Sequence, residues 1–279
     1  MVMPLKLMYI TNNPQIAAIA EECGVDRIFI DMEYIGKEER QAGLNTVKSH
    51  HTIADIANMR SIITSAELLV RINPIHGETN NYCSSKDEIG AAIDAGADIL
   101  MLPMIKSAKQ VEEFIRIVDG RAKTMLLLET AESNENIDEF LRVEGIDEVH
   151  IGLNDMHLAY RKKFMFELLT DGTVERLCRK LKAKGIPYGF GGIARLGYGM
   201  LPAEKVIMEH YRLGSTKAIL SRSFCNATEI TDMQELKTLF QLETNKIRLF
   251  EESLKSYSLQ DFENNRQEVC SLVSAIINK

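Results

Sequence analysis

The sequence predicts a (β/α)8 TIM barrel with additional C-terminal helices. Three observations carry that prediction. Eight short apolar runs of strand length recur along the chain, with amphipathic helical patterns in the intervals between them. The runs are apolar continuously, as strands of a parallel sheet covered on both faces must be. The doubly wound alternative calls for a G-x-G-x-x-G turn after the first strand, and here that turn reads TNNPQ.

In chain order the first run is KLMYI (6–10), followed by QIAAIAEECG, a helix with a capping glycine. RIFIDME (27–33) and ELLVRINP (67–74) come next, and both end in polar residues. EIGAAIDAGA, again glycine-capped, leads into DILMLPMI (98–105). SAKQVEEFIRIVDG then opens on a serine cap and sets Val111, Phe114, Ile115 and Val118 along one face. KTMLLLET (123–130), EVHIGLND (148–155), PYGFGGIAR (187–195) and STKAILSRS (215–223) complete the eight, with helices TVERLCRKLKAKG and PAEKVIMEHYRLG among them. Residues 1–230 are thus expected to form the barrel. Residues 231–279 keep helical spacing at Met233, Leu236, Phe240, Ile247, Phe250 and Leu254, more helix than one unit requires. Such an extension packs on a neighbouring subunit or on its own barrel.

Composition narrows the function. With 279 residues and 45% hydrophobic content, the chain can bury a sizeable core. The net charge of −7 is mild and no basic stripe stands out, which argues against a nucleic-acid partner. Cys23, Cys83, Cys178, Cys225 and Cys270 show no metal-binding spacing and read as thiols in a reducing compartment. MVMPLKLMYI lacks a signal-peptide layout, and no apolar run approaches the ~18 residues of a membrane span. A soluble, cytoplasmic protein is expected.

Active sites of such barrels lie at the C-terminal ends of the strands. There the sequence places Asp31 and Glu33, Arg71 and Asn73, Glu129, Asn154 and Asp155, then Gly191, Gly192 and Arg195, and finally Ser221, Arg222 and Ser223. Glu129 and Asp155 are one βα unit apart and are expected at equal height on neighbouring strands. Carboxylates that close repel unless one gains a proton or a cation lies between them. An oxygen-only donor pair favours Mg²⁺ or Mn²⁺. Residue types alone leave a second reading open, in which the acids pair with Arg71 and Arg195 in a solvated network.

FIDMEY, LLVRINP, AIDAGADILMLPMIKSAKQVE and LLLETAESNENIDEFLRVEGIDEVHIGLND, in that order and spacing, resemble the metal-dependent pyruvate aldolases of the HpcH/HpaI and citrate lyase beta superfamily. The likeness runs from about residue 24 to 160 and continues more weakly to about 225. It implies a carbon–carbon lyase that cleaves or forms a 2-oxo-4-hydroxy acid from pyruvate and an aldehyde, through a metal-stabilised enolate. It implies Glu129 and Asp155 as metal ligands, Arg71 on the 2-oxo acid, and the backbone from Gly152 through Asn154 to Asp155 around its carboxylate. It further implies a homo-oligomer, a hexamer. Asp31 and Glu33 would orient metal-bound waters. A citrate-lyase-beta-like acyl-CoA lyase, or a catalytically silent member with a binding or assembly role, is the alternative.

Two departures stand out. Where the family usually has a histidine acid/base directly after the second strand's acid, this chain has Tyr34; where a glutamine is common, it has Leu127. The segment YIGKEERQAGLNTVKSHHTIADI offers Tyr34, Lys37, Arg40, His50 and His51 in its place, with His51 or a metal-bound water preferred because a phenol is a poor base at neutral pH. Arg195 and Arg222 are expected either to hold an anionic group of the acceptor or to counter Glu129, Asp31 or Glu204. His150 reads as a hydrogen-bonded interior residue, His157 as a rim residue, His76 as a loop residue and His210 as packing. Met101, Met104 and Met125 read as core.

Overall fold

The computed structural model describes residues 3–37, 49–221, 224–225, 230 and 232–278. Its eight strands close into a parallel barrel in chain order. The first half runs β1 (Lys6–Ile10), α1 (Pro14–Glu22), β2 (Arg27–Asp31), α2 (Ile53–Arg60), β3 (Glu67–Arg71), α3 (Ser85–Asp94), β4 (Ile99–Leu102) and α4 (Ala108–Val118). Next come β5 (Lys123–Leu128), the short helices α5 (Ala131–Glu135) and α6 (Ile137–Phe140), β6 (Glu148–Ile151), α7 (Leu153–Ala159), α8 (Glu167–Thr170) and α9 (Thr173–Ala183). β7 (Tyr188–Ile193), α10 (Ala203–Leu213) and β8 (Lys217–Leu220) close the barrel, and α11 (Met233–Ser253) and α12 (Leu259–Ile277) follow it. No described helix is long and apolar enough to cross a membrane.

Seven of the eight expected strands end sooner than their apolar runs. Pro103 has no N–H for the ladder and stops β4 at Leu102. After β6 the chain turns at Gly152 directly into α7, so Asn154 and Asp155 stand in the first turn of a helix rather than at a strand end.

Side chains alternate in and out along each strand, and the inward positions form three layers. At the N-terminal end lie Arg27, Glu67, Glu148 and Lys217. Arg27 donates to both Glu148 oxygens at 2.7 and 2.8 Å and to Glu67 at 2.8 Å, and Lys217 Nζ lies 2.7 Å from Glu148. Two residues further along the strands is an apolar layer of Met8, Phe29, Leu69, Ile99, Met101, Met125 and Leu127. His150 sits at this level as a buried interior residue and donates from Nε2 to the Gly191 carbonyl at 3.1 Å. Burial, aided by Lys217, pushes His150 down to about 3, so it stays neutral. Two residues further again stand Asp31, Arg71 and Glu129. The apolar layer therefore insulates two ionic layers from each other.

The C-terminal helices pack on their own barrel. Asn265 donates to the Lys205 carbonyl and to Glu209, both at 3.1 Å, and Glu251 accepts the Leu5 amide at 2.8 Å. Leu242, Leu249 and Leu259 remain exposed on the outer face.

Glu148 is shared by two buried cations; Arg27 keeps Glu67, but Glu148→Gln strips Lys217 of its ion pair and is expected to cost about 3–5 kcal/mol of stability in urea unfolding. Burial would raise the Glu148 carboxyl, but Arg27 and Lys217 prevail and hold it at about 2, below its ordinary 4.5. A depressed carboxylate contributes stability above its unfolded value and loses it as pH falls through its folded value. Wild-type stability should therefore decline between pH 4.5 and 2, and that component should vanish in the variant.

Candidate active site

The register pairs Asp31 with Arg71 on adjacent strands, with both side chains inward. Arg71 donates from Nε and Nη2 to the two Asp31 oxygens, each at 2.8 Å, and its Nη1 lies 3.4 Å from Glu33. The guanidinium rides over the Phe29 ring, 5.7 Å from its centroid. Lys37 Nζ reaches Asp31 Oδ2 at 2.5 Å. Burial opposes ionisation of Asp31, but Arg71 and then Lys37 hold its carboxyl well below the usual range. Asn73 fixes the chain beyond β2: its Oδ1 accepts the Tyr34 and Ile35 amides at 2.8 and 2.9 Å, while its Nδ2 donates to Glu88 at 2.9 Å.

Glu129 follows β5 directly and is buried. Its Oε1 accepts the Met104 amide at 3.0 Å. Sequence reasoning treated Met104 as a core strand residue. Instead, past Pro103, it adopts φ 53°, a left-handed conformation that costs a non-glycine residue on the order of 1 kcal/mol. That turn aims its N–H at Glu129. Burial first, then the Glu33 carboxylate, push the Glu129 carboxyl up to about 8; Arg71 opposes the shift and Asp155 adds to it. At Glu129, burial and the two neighbouring carboxylates thus outweigh Arg71.

Asp155 is not level with Glu129. Pairing of Leu128 with Ile151 sets Gly152, not Asp155, beside Glu129. A Cβ at Gly152 would lie 2.8 Å from Glu129 Cβ and 3.1 Å from its Oε2, so only glycine leaves the carboxylate in place. Asp155 reaches the same space from α7. Met104, Lys106, Glu129, Thr130, Asp155 and Leu158 line one cleft of about 270 Å³. Among the described residues no three His, Cys, Asp or Glu side chains surround a single point. Glu129 and Asp155 both present carboxylates on this cleft, and oxygen donors of this kind suit hard divalent cations such as Mg²⁺ and Mn²⁺.

The other expected residues divide. His51 is buried beside Asp31, and its Nδ1 accepts the Asp31 amide at 3.0 Å. Burial lowers its pKa, so the ring is neutral with its proton on Nε2. Its Nδ1 lone pair is thus occupied. The Tyr34 hydroxyl donates to the His51 carbonyl. Asn154 is exposed. Gly191 has φ 51° and abuts Leu153, so its missing Cβ accommodates the chain itself. Arg195 stacks on Tyr198 at 3.8 Å and makes no ion pair with Glu129, Asp31 or Glu204. Arg40, Arg222 and Ser223 lie outside the described residues. His157 bonds within its own helix, His76 stitches the loop after β3, and His210 stacks on Phe190 at 3.8 Å. The residue that sequence reasoning missed is Met104, whose role is carried by its backbone; Pro103 was the available signal.

A model of the HpcH/HpaI aldolase/citrate lyase family matches residues 6–186. No curated protein matches the chain in sequence. Among solved structures, the HpcH/HpaI aldolase of Desulfitobacterium hafniense DCB-2 aligns with a TM-score of 0.62 and 19% identity, over 85% of this chain and 93% of that one. An HpcH/HpaI aldolase/citrate lyase family protein of Burkholderia cenocepacia J2315 aligns at 0.61 and 14%, over 84% and 95%. The citrate synthase SbnG aligns at 0.56 and 16%, over 78% and 86%. At these identities the likeness establishes the barrel.

Gly152→Ala should force Glu129 from its place while leaving the barrel folded, at a cost of about 1–3 kcal/mol for overpacking. Mn²⁺ affinity measured by calorimetry should fall with it. Wild-type affinity in this variant would remove the contact between Gly152 and Glu129 from the site.

Proposed function

The chain belongs to the HpcH/HpaI aldolase/citrate lyase family, and on that premise we propose that it is a metal-dependent aldolase. Its substrate class is a 2-oxo-4-hydroxy acid, cleaved to or formed from pyruvate and an aldehyde. The observation that supports this most is the Glu129 carboxyl, raised by burial and by Glu33 beside a cleft that it shares with Asp155. Glu129 and Asp155 are the residues that would hold Mg²⁺ or Mn²⁺. When bound, such an ion supplies a Lewis acid that polarises the ketone of a 2-oxo acid and stabilises the negative charge released by C–C cleavage.

The chain's own residues provide the rest. Arg71 carries a fixed positive charge toward the developing enolate, and the Asp31 fork holds it in place before substrate arrives. Glu33 restrains the third guanidinium nitrogen. The first-turn amides of α7 lack intrahelical acceptors and suit the substrate carboxylate, and Gly152 leaves room for its approach. Arg195, backed by Tyr198, is where an anionic group on the acceptor would rest.

Pyruvate release from a 2-oxo-4-hydroxy acid, measured with Mn²⁺ and with EDTA, tests the reading. Release should require the metal, and metal-independent release would refute it. Glu129→Gln keeps the shape but removes a charge, so Mn²⁺ affinity and release should fall together; unchanged Mn²⁺ binding would remove Glu129 as a ligand. Arg71→Lys keeps the charge but loses the fork, and kcat/KM should drop at least roughly tenfold, about 1.4 kcal/mol. Wild-type kinetics in that variant would take Arg71 out of the mechanism.

A further inference from the structure

The family's usual acid/base histidine is replaced here by Tyr34, and neither aromatic side chain nearby presents an unengaged base. The Tyr34 hydroxyl is engaged by the His51 carbonyl. The His51 Nδ1 lone pair is engaged by the Asp31 amide. Among the described residues beside Asp31, that leaves Lys37. Its side chain is buried, and its Nζ sits on Asp31 Oδ2, the same oxygen that receives Arg71 Nη2. The ammonium is therefore within two hydrogen-bond lengths of the guanidinium assigned to the 2-oxo acid. An ammonium has three donors, and Asp31 takes one of them.

Resting on the aldolase reading, we propose that Lys37 is the proton-transfer group of this site, held by Asp31 and serving the oxygen on C4 of the 2-oxo-4-hydroxy acid. In addition, the enolate carbon forms the C3–C4 bond and the aldehyde carbonyl pair moves onto its oxygen. That alkoxide takes a proton from the Lys37 ammonium, and the amine regains one from solvent. In cleavage, the Lys37 ammonium first passes a proton to solvent, and the resulting amine takes the C4 hydroxyl proton while the O–H pair becomes the aldehyde C=O. The C3–C4 pair passes into the enolate, whose C3 then takes a proton from solvent to give pyruvate.

The test compares two reactions in the full-length protein with Mn²⁺. Oxaloacetate breaks the same C3–C4 bond to the same enolate but releases carbon dioxide, with no hydroxyl proton to move. Lys37→Arg keeps the charge and the ion pair with Asp31 but gives up its proton far less readily. Lys37→Met removes both. In both variants, cleavage of the 2-oxo-4-hydroxy acid should fall about 10²- to 10⁴-fold, while oxaloacetate decarboxylation keeps most of its rate and so reports an intact fold. Equal losses in both reactions would make Lys37 a support for Asp31 and Arg71 and overturn the proposal. Unchanged cleavage in the variants would overturn it while leaving the aldolase reading standing. A wild-type protein inactive on both substrates would sink that reading, and the role of Lys37 with it.

Discussion

Negative charge at the C-terminal mouth of the barrel is the constraint on which the site depends. At Glu129, burial and the carboxylates of Glu33 and Asp155 outweigh the attraction of Arg71, whose guanidinium Asp31 already grips with both oxygens. In a buried setting a carboxylate without a counter-charge gains a proton or acquires a cation. The chain draws this group from four elements. β2 supplies Asp31, β3 supplies Arg71, the end of β5 supplies Glu129, and α7 supplies Asp155. Two backbone features complete it: Met104 turns left-handed to donate to Glu129, and Gly152 withholds a side chain that would displace it. The strain at Met104 lies where the proposed chemistry needs a fixed donor, which is where strain is commonly kept.

The layering of the interior explains how the charge is held without unravelling the barrel. Phe29 and the methionines beneath it exclude water from the underside of Arg71. The Arg27, Glu67, Glu148 and Lys217 cluster closes the opposite end with two acids against two buried cations. Conserving stability at one end and function at the other is the usual division in such barrels. Here it follows a two-residue step along each strand: Arg27, Phe29, Asp31 on β2, and Glu67, Leu69, Arg71 on β3.

The eight-strand barrel was legible because apolar runs and helical spacing alternate without interruption. The ends of the runs were less so. An apolar run does not show where a ladder stops, and Gly152 begins a helix that the run EVHIGLND hides. Asp155, expected at a strand end, therefore lines the cleft from a helix instead. The position of Asp31, Arg71 and Glu129 at the barrel mouth could be read because each charge ends an apolar run. Met104 could not, since its contribution is an amide. Lys37 stood among five candidates in one segment, and its ammonium on the Asp31 carboxylate sets it apart from Tyr34 and His51, whose hydroxyl and Nδ1 are engaged.

A calorimetric titration of the wild-type protein with Mn²⁺ at pH 7, repeated in buffers of different ionisation heat, probes the charge imbalance most directly. With Glu129 raised to about 8 when no cation is bound, binding should expel a proton, because a ligating carboxylate must be ionised. The expected result is one ion per chain, with an apparent enthalpy that varies with the buffer and a proton release approaching one. Absence of binding, or binding with no buffer dependence, would contradict a mouth poised for a divalent cation.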